Sequence, residues 1–246
     1  MSFYSDFAGY YETVFPLVED AYLFLRARTP GRAAVLDVGC GSGDYCARFA
    51  EEGHESVGVD VDPEMISAAR ARYPRPGFAV LDMSDLGQLS GSFGCVYCIG
   101  NVLSHLPPSG LDAFLGAVGR LVSPGGSWIF QTVNWDYVLR HGSFRFPDVE
   151  VPDEGLVFER EYPTVSKEGT PFLTRLRRRN ELLFEGDVTL YPVTASEYVS
   201  AHRRHPLEPV GHYSDWRGSV FRPETMSSSV YHFVRAGRPR RRREAG

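Results

Sequence analysis

The stretch Val35–Tyr45, "VLDVGCGSGDY", constrains the fold more than any other part of the chain. An apolar run of strand character closes around Asp37 and enters a turn with glycine at positions 39, 41 and 43. Glycine lets a backbone take left-handed conformations and come close to a ligand. A strand feeding such a turn, followed by an amphipathic stretch, opens a β–turn–α unit.

The same alternation recurs downstream. The pattern predicts strands at 33–38, 56–60, 78–81, 93–99 and 127–133, with helices at 43–52, 63–73 and 109–121. Asp62 is placed as N-cap with Pro63 at the first helical position. A helix is expected over 14–28, stopped by Thr29-Pro30-Gly31, and Pro74–Gly77 and Pro124-Gly125-Gly126 read as turns. From about 136 to 192 the runs lengthen into antiparallel strands, "LVFEREY", "PFLTRLRRRN" and "ELLFEGDVTLYPV", turning at "SKEGT" and near Asn180. Thr194 and Glu197 form a capping box that opens a last helix, and strands near 208–213 and 229–235 follow.

The expected fold is α/β: a doubly wound, mostly parallel seven-stranded sheet with an antiparallel insertion after the fifth strand. Residues 1–135 and 193–236 form its main domain, 136–192 the insertion, placed as a lid or substrate flap, and 237–246 a disordered basic tail. Ligands of such sheets bind beyond the C-terminal ends of the strands.

With 43% hydrophobic and 23% charged residues the chain has an ordinary globular composition. No apolar run approaches the roughly 20 residues that span a bilayer, and "MSFYSDFAGYY" has neither a basic start nor an apolar segment of signal type. A cytoplasmic protein without a membrane partner is expected. The tail "GRPRRRREAG" contributes +4 to a net charge of −5, so the rest of the chain carries −9. An acidic body argues against nucleic acid as the main partner. Cys95 and Cys98 lie within one predicted strand, so their side chains face opposite ways and cannot share a metal.

Two cofactor classes begin with a strand and a glycine turn, and charge separates them. A dinucleotide turn needs glycine at 39, 41 and 44, and position 44 is Asp. Its pyrophosphate would also sit at the helix N-terminus between Asp37 and Asp44. Like charges ~4 Å apart cost on the order of 4 kcal/mol at an effective dielectric near 20. S-adenosylmethionine carries an ammonium and a sulfonium, so Asp37 can meet its amino-acid end while Gly39, Cys40 and Gly41 bring the backbone close. The later strand ends agree. Asp60, with Val61 beside it, is placed to accept from both ribose hydroxyls, and Met65 to cover the adenine. Asp82, with Met83, is placed to accept from the adenine amino group, and Gly100 and Asn101 to approach the methionine part.

With these motifs, "VLDVGCGSG", "GVDVDPEM" and "LDM", the sequence resembles the class I S-adenosylmethionine-dependent methyltransferases. The N-terminal "FYSDFAGYYETVFP" looks like that family's "A-x-x-Y-D" segment with Glu12 in place of Asp. The resemblance sets Tyr11 over the cofactor; a half-buried core contact is the alternative.

The run [DNS]-P-P-[YFW] of base-amino methyltransferases is absent, since the position reads Ile99-Gly100-Asn101-Val102. A metal-dependent enzyme of catechol type needs a cluster of hard oxygen ligands near the fourth and fifth strand ends. Only Asn101 and Asn134 are offered there, so no metal is expected. "GNVLSHL", "VNWDYVL" and "TLYPVTASEYVSAH" resemble glycine and sarcosine N-methyltransferase-like proteins. That resemblance implies a small-molecule methyl acceptor, with Asn134 facing it and a guanidinium on its carboxylate. Arg175, Arg177, Arg178 and Arg179 are available, although a solvated strand face is the other reading of each. His105 is placed as a base or as a helix-start histidine, and Tyr191 and Trp216 as pocket walls or core. The expected activity is methylation of a small amine or amino acid. An O-methyltransferase, an RNA-directed enzyme and a non-catalytic binding module are the alternatives.

Overall fold

A computed structural model describes residues 8–179, 181–225 and 227–237. The predicted tail, from 238 onward, and the turn residue Asn180 lie outside them.

Residues 14–28 do not form one helix. A short helix α1 (Tyr11–Val14) and the helix α2 (Glu19–Ala27) are separated by Phe15–Val18. Pro16 explains the break, because the residue before a proline is pushed out of the helical region, and Phe15 has φ −125° and ψ 69°. The strands and helices β1 (Val35–Val38), α3 (Asp44–Glu51), β2 (Ser56–Asp60), α4 (Pro63–Arg72), β3 (Gly77–Val80) and β4 (Phe93–Cys98) then alternate. Asp62 caps α4, its Oδ1 accepting from the N–H of Glu64 at 2.9 Å and Met65 at 3.3 Å.

After α5 (Leu111–Leu121), the strand β5 (Val122–Val133) absorbs the predicted Pro-Gly-Gly turn as a register shift against β4. A helix that the sequence did not announce, α6 (Trp135–His141), leads into five further strands. These are β6 (Phe144–Arg145), β7 (Val149–Val151), β8 (Leu156–Tyr162), β9 (Thr170–Arg178) and β10 (Glu181–Leu190). The helix α7 (Ala195–His202), with its Thr194–Glu197 capping box, precedes β11 (Leu207–Tyr213) and β12 (Ser228–Arg235).

The main sheet has the order β11-β12-β5-β4-β1-β2-β3. Its inner strands are parallel, while β12 runs antiparallel to β5 and to β11. One face buries Trp128, Phe130, Tyr231 and Phe233 together with α5 and α7, and the other buries Tyr97 and Ile129 against Tyr22 and Phe49. Cys95 and Cys98 fall in these two separate clusters, as strand alternation requires. The second sheet, β10-β9-β8-β6 with β7 on β8, is antiparallel throughout. Among the described residues no helix is long and apolar enough to cross a membrane.

Candidate active site

The C-terminal ends of β1, β2 and β4 converge on a cavity of about 1050 Å³, closed on its far side by the second sheet. Its two halves differ in chemistry.

The first half is built from the segments that follow the strands. Asp37 is buried at the end of β1; Cys46 Sγ donates to its Oδ2 at 3.9 Å, and Oδ1 has no partner. Burial, and then the charge of Asp60, push its carboxyl well above the usual range. The chain next turns at Gly39, φ +79°, where a Cβ would stand 2.5 Å from Val102 Cγ1, so only glycine fits. Asp60 holds the turn from β2: its Oδ2 accepts from the Gly41 N–H at 2.9 Å and its Oδ1 from the Asp62 N–H at 3.0 Å. Burial raises its pKa as well. Tyr11 covers the turn, since a Cβ on Gly41 would meet its Cε1 at 3.3 Å. An ion pair between Glu12 and Arg72 of α4 ties α1 down in this position. Burial, with Asp60 and Asp37 nearby, raises the Tyr11 phenol.

Asp82 accepts from the Ser84 N–H at 2.8 Å and lines the cavity with Met83. Asp44 also reaches the wall; it accepts from Tyr73 at 2.5 Å and from Ser42 at 2.7 Å. At the end of β4, Asn101 takes φ +64°, and its Oδ1 accepts from the Val133 N–H at 2.9 Å and the Ser104 hydroxyl at 2.8 Å. Its side chain therefore fastens β4 to β5. Gln131, which sequence reasoning missed, accepts from the Gly100 N–H at 2.8 Å and also faces the cavity.

The second half is aromatic. The inner faces of β8, β9 and β10 contribute Phe158, Tyr162, Phe172 and Phe184, and Phe144 and Phe146 come from β6 and the turn after it. Arg160 and Thr174, paired across β8 and β9, lie among them. His105 lines the same cavity, and burial lowers its pKa to about 4. Burial disfavours its charged form, so it is neutral at physiological pH. Trp216 also reaches the wall, whereas Tyr191 does not.

All twelve residues expected at the cofactor line this cavity: Tyr11, Asp37, Gly39, Cys40, Gly41, Asp60, Val61, Met65, Asp82, Met83, Gly100 and Asn101. Asn134 does not. It is fully buried as the N-cap of α6; its Oδ1 accepts from the Tyr137 N–H at 3.2 Å, and its Nδ2 donates to the carbonyls of Thr225 at 2.8 Å and Arg222 at 3.2 Å. Both ends of the amide are thus engaged with backbone groups, outside the lining of the cavity. Arg175 and Arg177 face outward, paired with Glu161, Glu185 and Glu159. Arg178 lies over the Tyr10 ring at 5.6 Å, and Arg179 is exposed in the turn after β9. The arginine that enters the cavity is Arg160, legible in "LVFEREY" as the residue sharing parity with Leu156, Phe158 and Tyr162. Among the described residues no cluster of His, Cys, Asp or Glu could hold a metal ion.

Residues 35–126 match the family model described as "Methyltransferase domain". A ubiquinone biosynthesis O-methyltransferase of Xanthomonas axonopodis pv. citri is 34% identical over 110 residues, which cover 43% of this chain and 45% of that protein. The chain thus spans about half or less of the length of the curated relatives it matches. The fold is that of S-adenosylmethionine-dependent methyltransferases. A solved example from Clostridium acetobutylicum superposes with TM-score 0.79 at 15% identity, covering 96% of this chain and 99% of that one. The S-adenosylmethionine-bound amino pentose methyltransferase of Micromonospora echinaspora does so with TM-score 0.71 at 22% identity, covering 96% and 98%.

Proposed function

We propose that this protein is an S-adenosylmethionine-dependent methyltransferase of a small molecule, and that it methylates the nitrogen of a small amine or amino acid. The observation that carries this reading is the pairing of a glycine turn with the buried carboxyl of Asp37 and the half-buried one of Asp60. Asp37 keeps an unpartnered oxygen, and Asp60 still has lone pairs beyond its two backbone contacts. Such a cradle suits a cation and disfavours a pyrophosphate.

These residues fit the cofactor. Asp37 would take its ammonium, Asp60 its ribose hydroxyls and Asp82 the adenine amino group, with Met65, Met83 and Val61 against the adenine. Gly39, Cys40, Gly41 and Gly100 would bring backbone close to its amino-acid end, and Tyr11 would cover it. When bound, S-adenosylmethionine supplies an electrophilic methyl group on sulfur. The chain's own work is orientation: the aromatic half exclude water and hold the acceptor nitrogen in line, a contribution worth several orders of magnitude in rate. An amine that arrives unprotonated needs no obligatory base. The 136–192 segment, whose second sheet forms the far wall, would close the site as a flap.

The position of His105 in the cavity wall supports a second reading, O-methylation, in which its imidazole takes the proton of a hydroxyl. The test is calorimetric binding of S-adenosylhomocysteine, followed by its release from S-adenosylmethionine with glycine, sarcosine and pools of amines and phenols supplied separately. Turnover in an amine arm is expected. Turnover confined to phenols would move the assignment to oxygen, and failure to bind S-adenosylhomocysteine would overturn both readings.

A further inference from the structure

Among the described residues Arg160 is the one arginine or lysine lining the cavity, and its surroundings are unusual for a guanidinium. Its sequence neighbours Glu159 and Glu161 point to the opposite face of β8, where they pair with Arg145, Arg175 and Arg177. The second sheet thus sorts its charges, with ion pairs outside and a single cation inside. Arg160 forms no ion pair among the described residues. Of its five N–H donors, one reaches the Pro147 carbonyl at 3.1 Å, and the buried Nε has no partner. The rings of Phe146, Phe15 and Phe158 lie 5.1, 5.5 and 5.9 Å from its carbon Cζ, which offsets part of the desolvation. Burial lowers its pKa even so, against the weaker opposing influences of Tyr162 and Asp148. Arg160 is half-buried, and a leucine or methionine would fill the inner part of this position without setting a charge against the rings. Packing alone therefore does not account for the residue.

The rest of the cavity narrows what the guanidinium could meet. Asp37, Asp44, Asp60 and Asp82 occupy the other half, and His105 is neutral. Among the described residues that line the cavity, Arg160 offers the one side-chain cation for an anion on the acceptor. The walls around Arg160 are rings, which reward an apolar body of comparable size. At about 1050 Å³ the cavity exceeds the roughly 300–1,000 Å³ of a pocket for one drug-sized ligand, leaving room for an acceptor beside the cofactor.

We propose that the methyl acceptor is an apolar, ring-bearing monoanion whose anionic group docks on Arg160 while its ring packs against Phe146, Phe158 and Tyr162. This deepens the methyltransferase reading and rests on it. It points away from glycine, which has no ring, and away from phosphorylated acceptors, which carry a second charge.

The experiment is calorimetric titration of the full chain with three probes: 3-phenylpropanoate, 3-phenylpropanol, which lacks the charge, and acetate, which lacks the ring. The acid should bind about tenfold or more tightly than either of the others, the scale of one charge-assisted hydrogen bond or one buried ring. Arg160→Gln should remove the preference of acid over alcohol, and Arg160→Lys should keep part of it. Circular dichroism of each variant separates loss of binding from loss of fold. Equal binding of acid and alcohol by the wild type, a preference that survives in Arg160→Gln, or no binding of any probe at millimolar concentration would each overturn the proposal. S-adenosylhomocysteine titrated into the same samples reports on the methyltransferase reading separately, because its affinity should not depend on Arg160.

Discussion

The two halves of the cavity are made by different means. The carboxylate half is local in sequence: Asp37, Asp60, Asp82 and Gly100 each fall at or within two residues of the end of a strand. Its geometry is fixed by backbone, through the Asp60 contacts to Gly41 and Asp62. The aromatic half depends on sheet register, because only alternate residues of β8, β9 and β10 face inward. A one-residue slip of β8 would exchange Arg160 for a glutamate. A site made from strand ends is held by the main sheet, whereas one made from a sheet face can change its ligand by changing side chains.

The largest expected effect of breaking this division lies in the carboxylate half. Asp60→Ala removes the acceptor of two backbone N–H groups as well as the contact proposed for the ribose. With charge-assisted hydrogen bonds worth about 1.5–3 kcal/mol each, the dissociation constant for S-adenosylhomocysteine should rise on the order of 100-fold. Binding of 3-phenylpropanoate should change less than about threefold, since separated sites act independently. Equal losses on both probes would mean that the halves are one cooperative unit.

Asp37→Asn sharpens the same contrast by separating stability from function. Asp37 titrates above its ordinary range in the folded chain because it is buried near Asp60. The folded state therefore holds this proton more tightly than the unfolded one. The stability it contributes is full at low pH and lost as pH rises through the raised pKa. Without ligand, the asparagine variant should melt roughly 2–4 °C higher than wild type at pH 7.5, the shift for ~1 kcal/mol in a chain of this size. Its affinity for S-adenosylhomocysteine should fall about tenfold or more, and any change with pH that ionisation of Asp37 gives the wild type should be absent. Thermal melts and titrations from pH 5 to 8 check both, and a variant that melts lower at pH 7.5 would remove the buried-charge account.

The carboxylate half was open to reading from sequence because strand, turn and acidic residue follow one another directly. The aromatic half was not. In "PFLTRLRRRN" the run of arginines dominates the eye, yet Arg175 and Arg177 belong to the outward face and Phe172 and Thr174 to the inward one. Arg160 stands between two glutamates that suggest a solvated surface, and only its shared parity with Leu156, Phe158 and Tyr162 marks it as inward. Asn134 was misplaced for a related reason: a motif gives position in the chain, while the N-cap geometry that engages its side chain depends on α6 and on the distant carbonyls of Arg222 and Thr225. The helix expected over 14–28 failed at Pro16, a local signal outweighed by the apolar spacing around it. That break separates α1, which places Tyr11 over the glycine turn, from α2.

Within the aromatic half, Phe146→Ala is an intermediate case. The Phe146 ring lies 5.0 Å from Tyr162 and 4.9 Å from Phe144, and 5.1 Å from the Arg160 guanidinium carbon. Its loss should weaken 3-phenylpropanoate by about five- to tenfold, the scale of one aromatic contact with its buried area. S-adenosylhomocysteine affinity should stay within about twofold. Reversal of that pattern would assign the ring to the cofactor side.

The smallest effect is expected across the sheet, at a residue of the same type. Arg175 lies on β9, one position from Thr174, which pairs with Arg160, but it points outward and bonds Glu185 at 2.6 Å with Glu161 at 3.6 Å. Those carboxylates raise its pKa, and water screens the group throughout. Arg175→Gln should shift the melting temperature by no more than about 1 °C and leave both titrations unchanged, because exposed ion pairs contribute little. Raising salt should not alter this outcome. Arg160→Gln and Arg175→Gln remove the same charge from adjoining strands, so any difference between them measures the face and not the residue type. If Arg175→Gln weakened 3-phenylpropanoate as strongly as Arg160→Gln, the anion would be sensing the net charge of the sheet, and the docking role of Arg160 would be lost.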